Sequence, residues 1–380
     1  MNLSHALSLV DSMEVAGEKI TFMWVYSPFP DYEPTEAPGE GIACVDDVGR
    51  FMEVLEKEIL TYDRKELLPI ARGMTRFLLY LSREDGLWHN FLLADGRINR
   101  SHPNSVAEFG WWAIRGLRGL AAAYAIFSPR PADRDLIHRV EARIKAAEVH
   151  IGHSVERYPL LEETTLGMRP AWLVKNAPDM NSELLIPLTK LHRTGRFDYY
   201  GIIKKISEGL MGYQYTAPGH PLNGMYLCFD NIWHNWGNGQ AYGLLEAFQV
   251  TQDSALLASV ERWADSFVPF LLESNYPRRI VMRGNQTYTA RSVPQIAYGF
   301  SSIYRGLRSL ADITGEKTYV ERSDKVFQWF KGANIARTQM YQPETGVCFD
   351  GIDGPKSVNR NSGAESTIEC LLTIGMRGLF

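Results

Sequence analysis

Two kinds of helical pattern alternate along the chain. In the first kind, apolar residues recur every three or four positions on one face and charged residues cover the other face. This amphipathic pattern is found over 64–83, 133–157, 197–214, 254–274 and 318–331, and residues 3–16 are a candidate for a sixth such helix. The second kind is apolar on nearly every side and rich in small residues, over 46–61, 106–127, 181–194, 237–251, 295–313 and 364–377.

A helix that is apolar all round must be buried on all sides. Glycines inside such helices cost about 1 kcal/mol relative to alanine, so they indicate close contact with a neighbouring helix. Strict alternation with a period of about 60 residues is typical of stacked helical hairpins. The sequence therefore predicts an all-α fold. We expect an (α/α)6 toroid of six helical hairpins, with inner and outer helix rings, formed by residues 1–380 as a single domain.

The connections that precede the apolar helices are long, whereas the return connections are short. The long ones cover 17–45, 84–105, 158–180, 215–236, 275–293 and 332–363, and they could hold short hairpins. Long ordered loops on a helical scaffold usually carry function. In a toroid they would all lie on the face where the inner helices begin, and the sequence predicts the functional site there.

Composition excludes several classes of partner. The net charge is -4, the isoelectric point is about 6.2, and no basic run is long enough to hold phosphates, so we expect no nucleic-acid partner. No signal peptide is evident and no apolar run approaches the roughly 20 residues of a membrane span, so we expect no membrane partner. The four cysteines are scattered without metal-ligand spacing, which predicts a cytoplasmic protein with free thiols and with neither metal nor cofactor. The oligomeric state is unknown from the sequence.

Carboxylates stand at the starts of several apolar helices. The candidate catalytic residues are Asp46, Asp47, Glu108 and Glu365. Converging helix N-termini keep carboxylates ionised, whereas burial or an adjacent like charge favours a held proton, as in the pair Asp46 and Asp47. Carboxylates on neighbouring helices would lie at about the 6.5–9.5 Å separation that inverting glycosidases use.

A purely structural interpretation of these carboxylates stays open. Ser105 to Glu108 and Ser362 to Glu365 both fit S-x-x-E, the capping box, in which the glutamate accepts a backbone hydrogen bond. Asp46 or Asp47 could likewise be an ordinary N-cap. A capping residue is held rigid and can still face a pocket, so the two interpretations exclude each other only in part.

Aromatic and polar residues of the long loops and helix starts are candidates for substrate binding. Flat aromatic faces beside Asn and His suit a sugar ring, which is apolar on its faces and hydroxylated at its rim. We therefore expect sugar contacts from Trp88, His89, Trp111, Trp233, His234, Trp236 and Asn361. The alternative is that these tryptophans pack the long loops onto the helices.

Several motifs together resemble a known superfamily. Gly41 to Asp47 opens the first inner helix, and Asn359 to Thr367 opens the last one. Cys348-Phe349-Asp350-Gly351 precedes the last helix, and Asp85-Gly86 with Asn90-Phe91 precedes the second. With the hairpin count, these motifs resemble the six-hairpin glycosidase-like superfamily, in particular its (α/α)6 toroid proteins of uncertain activity. The resemblance implies the fold over most of the chain, while the reaction stays open because this fold also hosts lyases, epimerases and phosphorylases.

These observations favour a carbohydrate-active enzyme, a glycoside hydrolase that acts on an oligosaccharide by an inverting mechanism. Asp46 or Asp47 would protonate the leaving oxygen, and Glu365 or Glu108 would activate water. A polysaccharide lyase or sugar epimerase is the alternative enzyme, in which His234 or His89 with a tyrosine such as Tyr288 would move a carbon-bound proton. A non-catalytic sugar-binding module is the third hypothesis.

Overall fold

Helices form wherever the sequence shows a long amphipathic or apolar helical pattern. The computed structural model describes residues 1–284 and 286–377. In chain order the helices are α1 Ser4–Ser8, α2 Val45–Thr61, α3 Leu68–Leu81, α4 Trp111–Phe127, α5 Arg134–Val155, α6 Pro178–Arg193, α7 Tyr200–Gly212, α8 Gln240–Thr251, α9 Ser254–Arg262, α10 Val268–Glu273, α11 Ala297–Thr314, α12 Lys317–Phe327 and α13 Ala364–Gly375. A π-helical turn, Trp263–Phe267, joins α9 to α10. The amphipathic and apolar kinds alternate from α2 to α13, as predicted.

The predicted first helix, residues 3–16, is wrong beyond its first turn. Only α1 is helical, and a hairpin of β1 Val10–Val15 and β2 Glu18–Met23 follows it. The turn residues Ala16 and Gly17 have φ values of 51° and 78°. Two successive positive φ values are typical of the tight turns that match strand twist. This local turn therefore ends the helical pattern that the apolar spacing suggested.

The long connections before the apolar helices contain short strands, which pair into small sheets of two or three strands. After β1 and β2 the strands are β3 Ala43–Cys44, β4 Phe91–Leu92, β5 Leu161–Thr164, β6 Gly167–Pro170, β7 Ile232–His234, β8 Arg279–Met282, β9 Tyr288–Arg291, β10 Gln295–Ile296, β11 Tyr341–Gln342, β12 Val347–Cys348, β13 Gly351–Gly354 and β14 Ser357–Asn359. Two of these sheets matter for function. β3 pairs with β4 immediately before α2, and β7, β8 and β9 form an antiparallel sheet.

Small residues allow two of the apolar helices to approach closely. A Cβ atom on Gly49 of α2 would lie 2.1 Å from the backbone oxygen of Arg115 in α4, and one on Gly119 would lie 2.9 Å from the Cα of Gly49. Any larger residue would push the two helix backbones apart. Close packing of α2 against α4 therefore explains why these helices contain glycine despite its low helix propensity.

The chain divides into two compact units. The first contains Met1–Ile151, Gln342–Asp350 and Arg360–Gly375, and the second contains Gly152–Tyr341 and Gly351–Asn359 with the described residues after 375. A single domain over 1–380 remains a prediction. Within the described ranges, no helix combines the length and the apolar character that crossing a membrane requires. The four cysteines are buried and free.

Candidate active site

A buried arginine on α2 gathers carboxylates in the first unit. Arg50 is 1% exposed, and its Nη2 atom lies 2.9 Å from Asp47 Oδ1 and 3.3 Å from Glu365 Oε2. Its Nη1 atom lies 2.9 Å from Oε1 of Glu369. Glu365 and Glu369 are one turn apart on α13, so both reach the same guanidinium. We call these four residues the Arg50 cluster.

Asp46 belongs to a second, adjoining set of contacts. Its Oδ1 atom lies 3.1 Å from Arg115 Nη1, and its Oδ2 accepts a 3.0 Å hydrogen bond from Asn90 Nδ2. The guanidinium of Arg115 also lies 4.9 Å from the ring centroid of Trp111, a cation–π distance. Asp46, Arg115 and Trp111 therefore follow one another in space, and Arg50 adjoins them because its Nε donates to the Asp46 backbone oxygen at 3.0 Å.

Exposure separates the carboxylates into two groups. The side chains of Glu365 and Asp46 are 46% and 19% exposed, whereas those of Asp47 and Glu369 are 5% and 2% exposed. A substrate can reach only the first two side chains. The other two carboxylates balance the charge of Arg50 and hold it in place.

The pKa of Asp47 is raised, as expected for one of two adjacent carboxyl groups. Burial raises the pKa of Asp47, and the neighbouring charge of Asp46 adds to that rise. Arg50 and the hydrogen bond from the Cys44 thiol, 3.1 Å long, lower the pKa of Asp47 in opposition. The net effect is a raised pKa at a carboxyl group that no substrate can touch.

One guanidinium group bridges Asp47 and Glu365. Both carboxylates contact the same nitrogen of Arg50, at 2.9 and 3.3 Å, so their bound oxygens cannot lie further apart than these two distances combined. Because the guanidinium also lies between them, we assign Asp47 to positioning Arg50.

Neither predicted capping box forms. α13 begins at Ala364, and its N-terminus is bound by Asp350, whose Oδ1 accepts hydrogen bonds from Gly363 N at 2.8 Å and Ser366 Oγ at 2.6 Å. Glu365 instead binds Arg50. Sequence reasoning did not select Asp350, although it lies in one of the motifs that carry the family resemblance.

The other predicted box fails for a different reason. Glu108 pairs with Trp88 through backbone hydrogen bonds of 3.2 and 3.4 Å, three residues before α4 begins. Ser105 ends a short 3-10 helix, and its hydroxyl accepts backbone hydrogen bonds from Asn90 and Phe91. We therefore leave Glu108 out of the reacting pair.

Four residues predicted to contact sugar are buried or bonded within the protein. Trp88 and Trp233 are 0% and 1% exposed, so their rings pack inside the protein and present no face to a ligand. His89 is buried, with its Nδ1 atom 2.8 Å from the Ser105 backbone oxygen. Asn361 accepts a 3.0 Å hydrogen bond from the backbone of Phe29, which joins two loops. Of the predicted contacts in the first unit, Trp111 is partly exposed, and its ring lies against Arg115, the partner of Asp46.

The second unit holds a histidine–carboxylate pair. His234 Nδ1 contacts the backbone oxygen of Trp236, and its Nε2 lies 3.2 Å from Asp179 Oδ2. The Trp236 backbone oxygen accepts, and so does the Asp179 carboxylate when ionised, so the ring then donates from both nitrogens in the imidazolium form. Burial lowers the pKa of His234, but Cys228 and Asp179 raise it to about 10.

Asp179, Cys228 and His234 are also the possible metal-binding set among the described residues, with ligand atoms within 4.8 Å of one another. The direct His234–Asp179 contact already accounts for their arrangement.

A cavity of about 320 Å³ lies beside this pair. Trp236 stacks on His234 with ring centroids 3.7 Å apart, and 37% of Trp236 is exposed. The residues that line the cavity are Phe229, Ile232, His234, Trp236, Arg278, Arg279 and Arg291. We call it the cationic cavity. Tyr288, the predicted partner of a catalytic histidine, instead contacts the rings of His220 and Phe270.

Comparison with known proteins identifies the fold. No family model matches the chain, and no curated protein matches its sequence. Among solved structures, cellobiose 2-epimerase from Spirochaeta thermophila DSM 6192 is similar with a TM-score of 0.66 and 12% identity, over 94% of this chain and 89% of that one. A family 76 glycoside hydrolase from a bovine Bacteroides thetaiotaomicron strain has a TM-score of 0.61 and 13% identity, over 99% and 77% of the two chains. A polysaccharide lyase has a TM-score of 0.56 and 14% identity, over 90% and 94%.

Identities this low show the fold alone. They confirm the predicted fold class, an all-α (α/α)6 toroid.

Proposed function

From the six-hairpin glycosidase-like fold that this chain shares, we propose that the protein is a carbohydrate-active enzyme that hydrolyses a glycosidic bond in an oligosaccharide. One observation carries the proposal. Asp46 and Glu365 are accessible carboxylates, and guanidinium groups that are 9% and 1% exposed hold them. Glycoside hydrolysis needs two carboxyl groups in fixed positions. Both a glycoside hydrolase and an epimerase are structural neighbours, so the choice of hydrolysis rests on the carboxylates.

In the proposed reaction, Asp46 protonates the leaving oxygen and Glu365 takes a proton from water. The water oxygen bonds to the anomeric carbon as the glycosidic bond breaks, which inverts the configuration. Arg115 and Arg50 are positioning residues, because they fix the carboxylates without contacting the reacting atoms. Fixed geometry of this kind lowers the entropic part of the barrier. The exposed part of the Trp111 ring would support the sugar.

The His234–Asp179 pair favours a second candidate, proton transfer at a sugar carbon by an epimerase or lyase. His234 in its imidazolium form donates a proton, whereas abstraction of a carbon-bound proton requires a neutral base. Its predicted tyrosine partner also lies against other rings. Hydrolysis therefore remains the better-supported reaction. A sugar-binding module without turnover is the remaining alternative.

The test combines product analysis with matched variants. The purified protein is incubated with a panel of plant and bacterial oligosaccharides, and the assay records new reducing ends, ultraviolet-absorbing products and changed monosaccharides. Hydrolysis predicts new reducing ends without ultraviolet absorbance. Asp46→Asn and Glu365→Gln should each lower kcat by about 10²- to 10⁴-fold.

The controls are Asp63→Asn and Glu66→Gln, which make the same chemical changes at side chains that are 76% and 63% exposed. They should keep full activity. If Asp46→Asn and Glu365→Gln still formed unsaturated or epimerised products, the second candidate would replace hydrolysis as the proposed reaction.

A further inference from the structure

A row of positive charge crosses the β7–β8–β9 sheet. His234 is opposite Arg279, and Arg279 is opposite Arg291. Residues directly opposite each other in antiparallel strands project their side chains on the same face. Like charges in such positions repel. Asp179 offsets the charge of His234, so the repulsion that an external anion would relieve is the one between Arg279 and Arg291.

The two arginines of this row and the adjacent Arg278 lack charged partners among the described residues. Across residues 1–284 and 286–377, the side chains of Arg278, Arg279 and Arg291 form neither ion pairs nor hydrogen bonds. Acidic residues outnumber basic ones in this chain, 44 to 40, so carboxylates are not scarce. Other arginines bind carboxylates, as in the contact of Arg72 with Asp133 at 2.6 Å. Arg279 and Arg291 are exposed and line the same cavity, so both are available to an external anion.

The surroundings of the row indicate what kind of anion fits. The same arginines line the cationic cavity with Trp236 and Phe229, which are 37% and 51% exposed. An aromatic face packs against the apolar face of a sugar ring, whereas guanidinium groups pair with carboxylate or phosphate oxygens. A volume of about 320 Å³ is at the small end of ligand sites, which suits one ring.

We propose that the cationic cavity binds an acidic sugar, with its anionic group on Arg279 and Arg291 and its ring against Trp236. A uronate carboxylate and a sugar phosphate offer the same chemistry to these arginines. That the anion belongs to a sugar rests on the proposed function. The inference that an anion binds here rests on the row of positive charge and on the cavity.

Isothermal titration calorimetry tests the proposal with D-glucuronate, D-glucose 6-phosphate and D-glucose at low ionic strength. At least one of the two anionic sugars should bind ten or more times as tightly as glucose, and added salt should weaken it. Arg279→Gln and Arg291→Gln should each weaken that binding about tenfold or more. Arg283→Gln, the same change at an exposed residue of the hairpin, should alter it less than twofold.

Thermal melting separates a binding role from a structural one. Because each arginine faces a like charge and has no partner, Arg279→Gln and Arg291→Gln should melt no lower than the wild-type protein without ligand. Trp236→Ala should weaken binding of the anionic sugar and of glucose alike.

The two anionic sugars distinguish a carboxylate from a phosphate ligand. Equal affinity for glucose and both anions, or unchanged binding in both arginine variants, would overturn the proposal. Because the assay measures binding, its result does not depend on whether the protein hydrolyses glycosides.

Discussion

Removing Arg50 should destabilise the protein strongly and in a pH-dependent way. In Arg50→Leu, the buried carboxylates of Asp47 and Glu369 lose their cation, while Glu365 is 46% exposed and regains water. Breaking a buried ion pair by removing one partner costs about 3–5 kcal/mol. Arg50 now lowers the pKa of Asp47 against the effect of burial, so its loss raises the folded-state pKa further above the unfolded value of about 3.9. The loss of stability should therefore be small near pH 4 and grow towards pH 7.

Urea unfolding of both proteins from pH 4 to pH 8 measures this difference. Arg139→Leu is the matched control, because Arg139 binds Glu18 with two hydrogen bonds of 2.6 and 2.9 Å but is 47% exposed. Water screens that pair, so its loss should cost at most about 1 kcal/mol. Adding Asp47→Asn and Glu369→Gln to Arg50→Leu should restore much of the lost stability. If Arg50→Leu lost no more stability than Arg139→Leu, or lost it independently of pH, Arg50 would not be the cation that balances the buried carboxylates.

Two further predictions concern packing and titration. Gly49→Ala should lower the free energy of unfolding by about 1–3 kcal/mol, because its Cβ would lie 2.1 Å from the Arg115 backbone oxygen. The control Gly152→Ala has no atom within 4 Å of the added Cβ, so its stability should be unchanged or higher. Equal effects of the two substitutions in urea unfolding would contradict the close contact. Because the pKa of His234 is raised to about 10, the stabilisation from its pairing with Asp179 should be complete below about pH 6.5 and disappear as pH rises through 10. Nitrogen-15 NMR of the imidazole should show the doubly protonated ring at pH 8, and a neutral ring there would contradict the pairing.

The alternation of two helix types was sufficient to predict the helical architecture. Periodicity identifies long helices reliably, because burial of one face or of every face leaves a regular pattern. The prediction of a helix over 3–16 was wrong because its apolar residues, at mixed spacing, fit a helix only weakly. Two turn residues with positive φ, Ala16 and Gly17, form a hairpin there instead. Local turn chemistry outweighed the weak periodicity.

The candidate site was predictable only in part. Asp46 and Glu365 stand out because they open apolar helices, and the structure joins them through Arg50 and Arg115. Which carboxylates are accessible depends on side-chain packing that the sequence does not display. Glu369 had a usable signal, a charged residue inside a buried apolar helix, since such a group requires a partner.

The cationic row could not be predicted from sequence. Arg279 and Arg291 lie opposite each other only because of the register of β8 and β9. Trp88 and Trp233 are buried, which the sequence alone does not show because loop tryptophans pack inward as readily as they face a ligand.

The most direct test of the proposed active site is an experimental structure of the Glu365→Gln variant with an oligosaccharide that the wild-type protein cleaves. The proposal predicts the scissile oxygen within hydrogen-bond distance of Asp46, a water molecule at residue 365, and a sugar ring against Trp111. A bound sugar that contacts neither carboxylate would contradict the proposed hydrolysis.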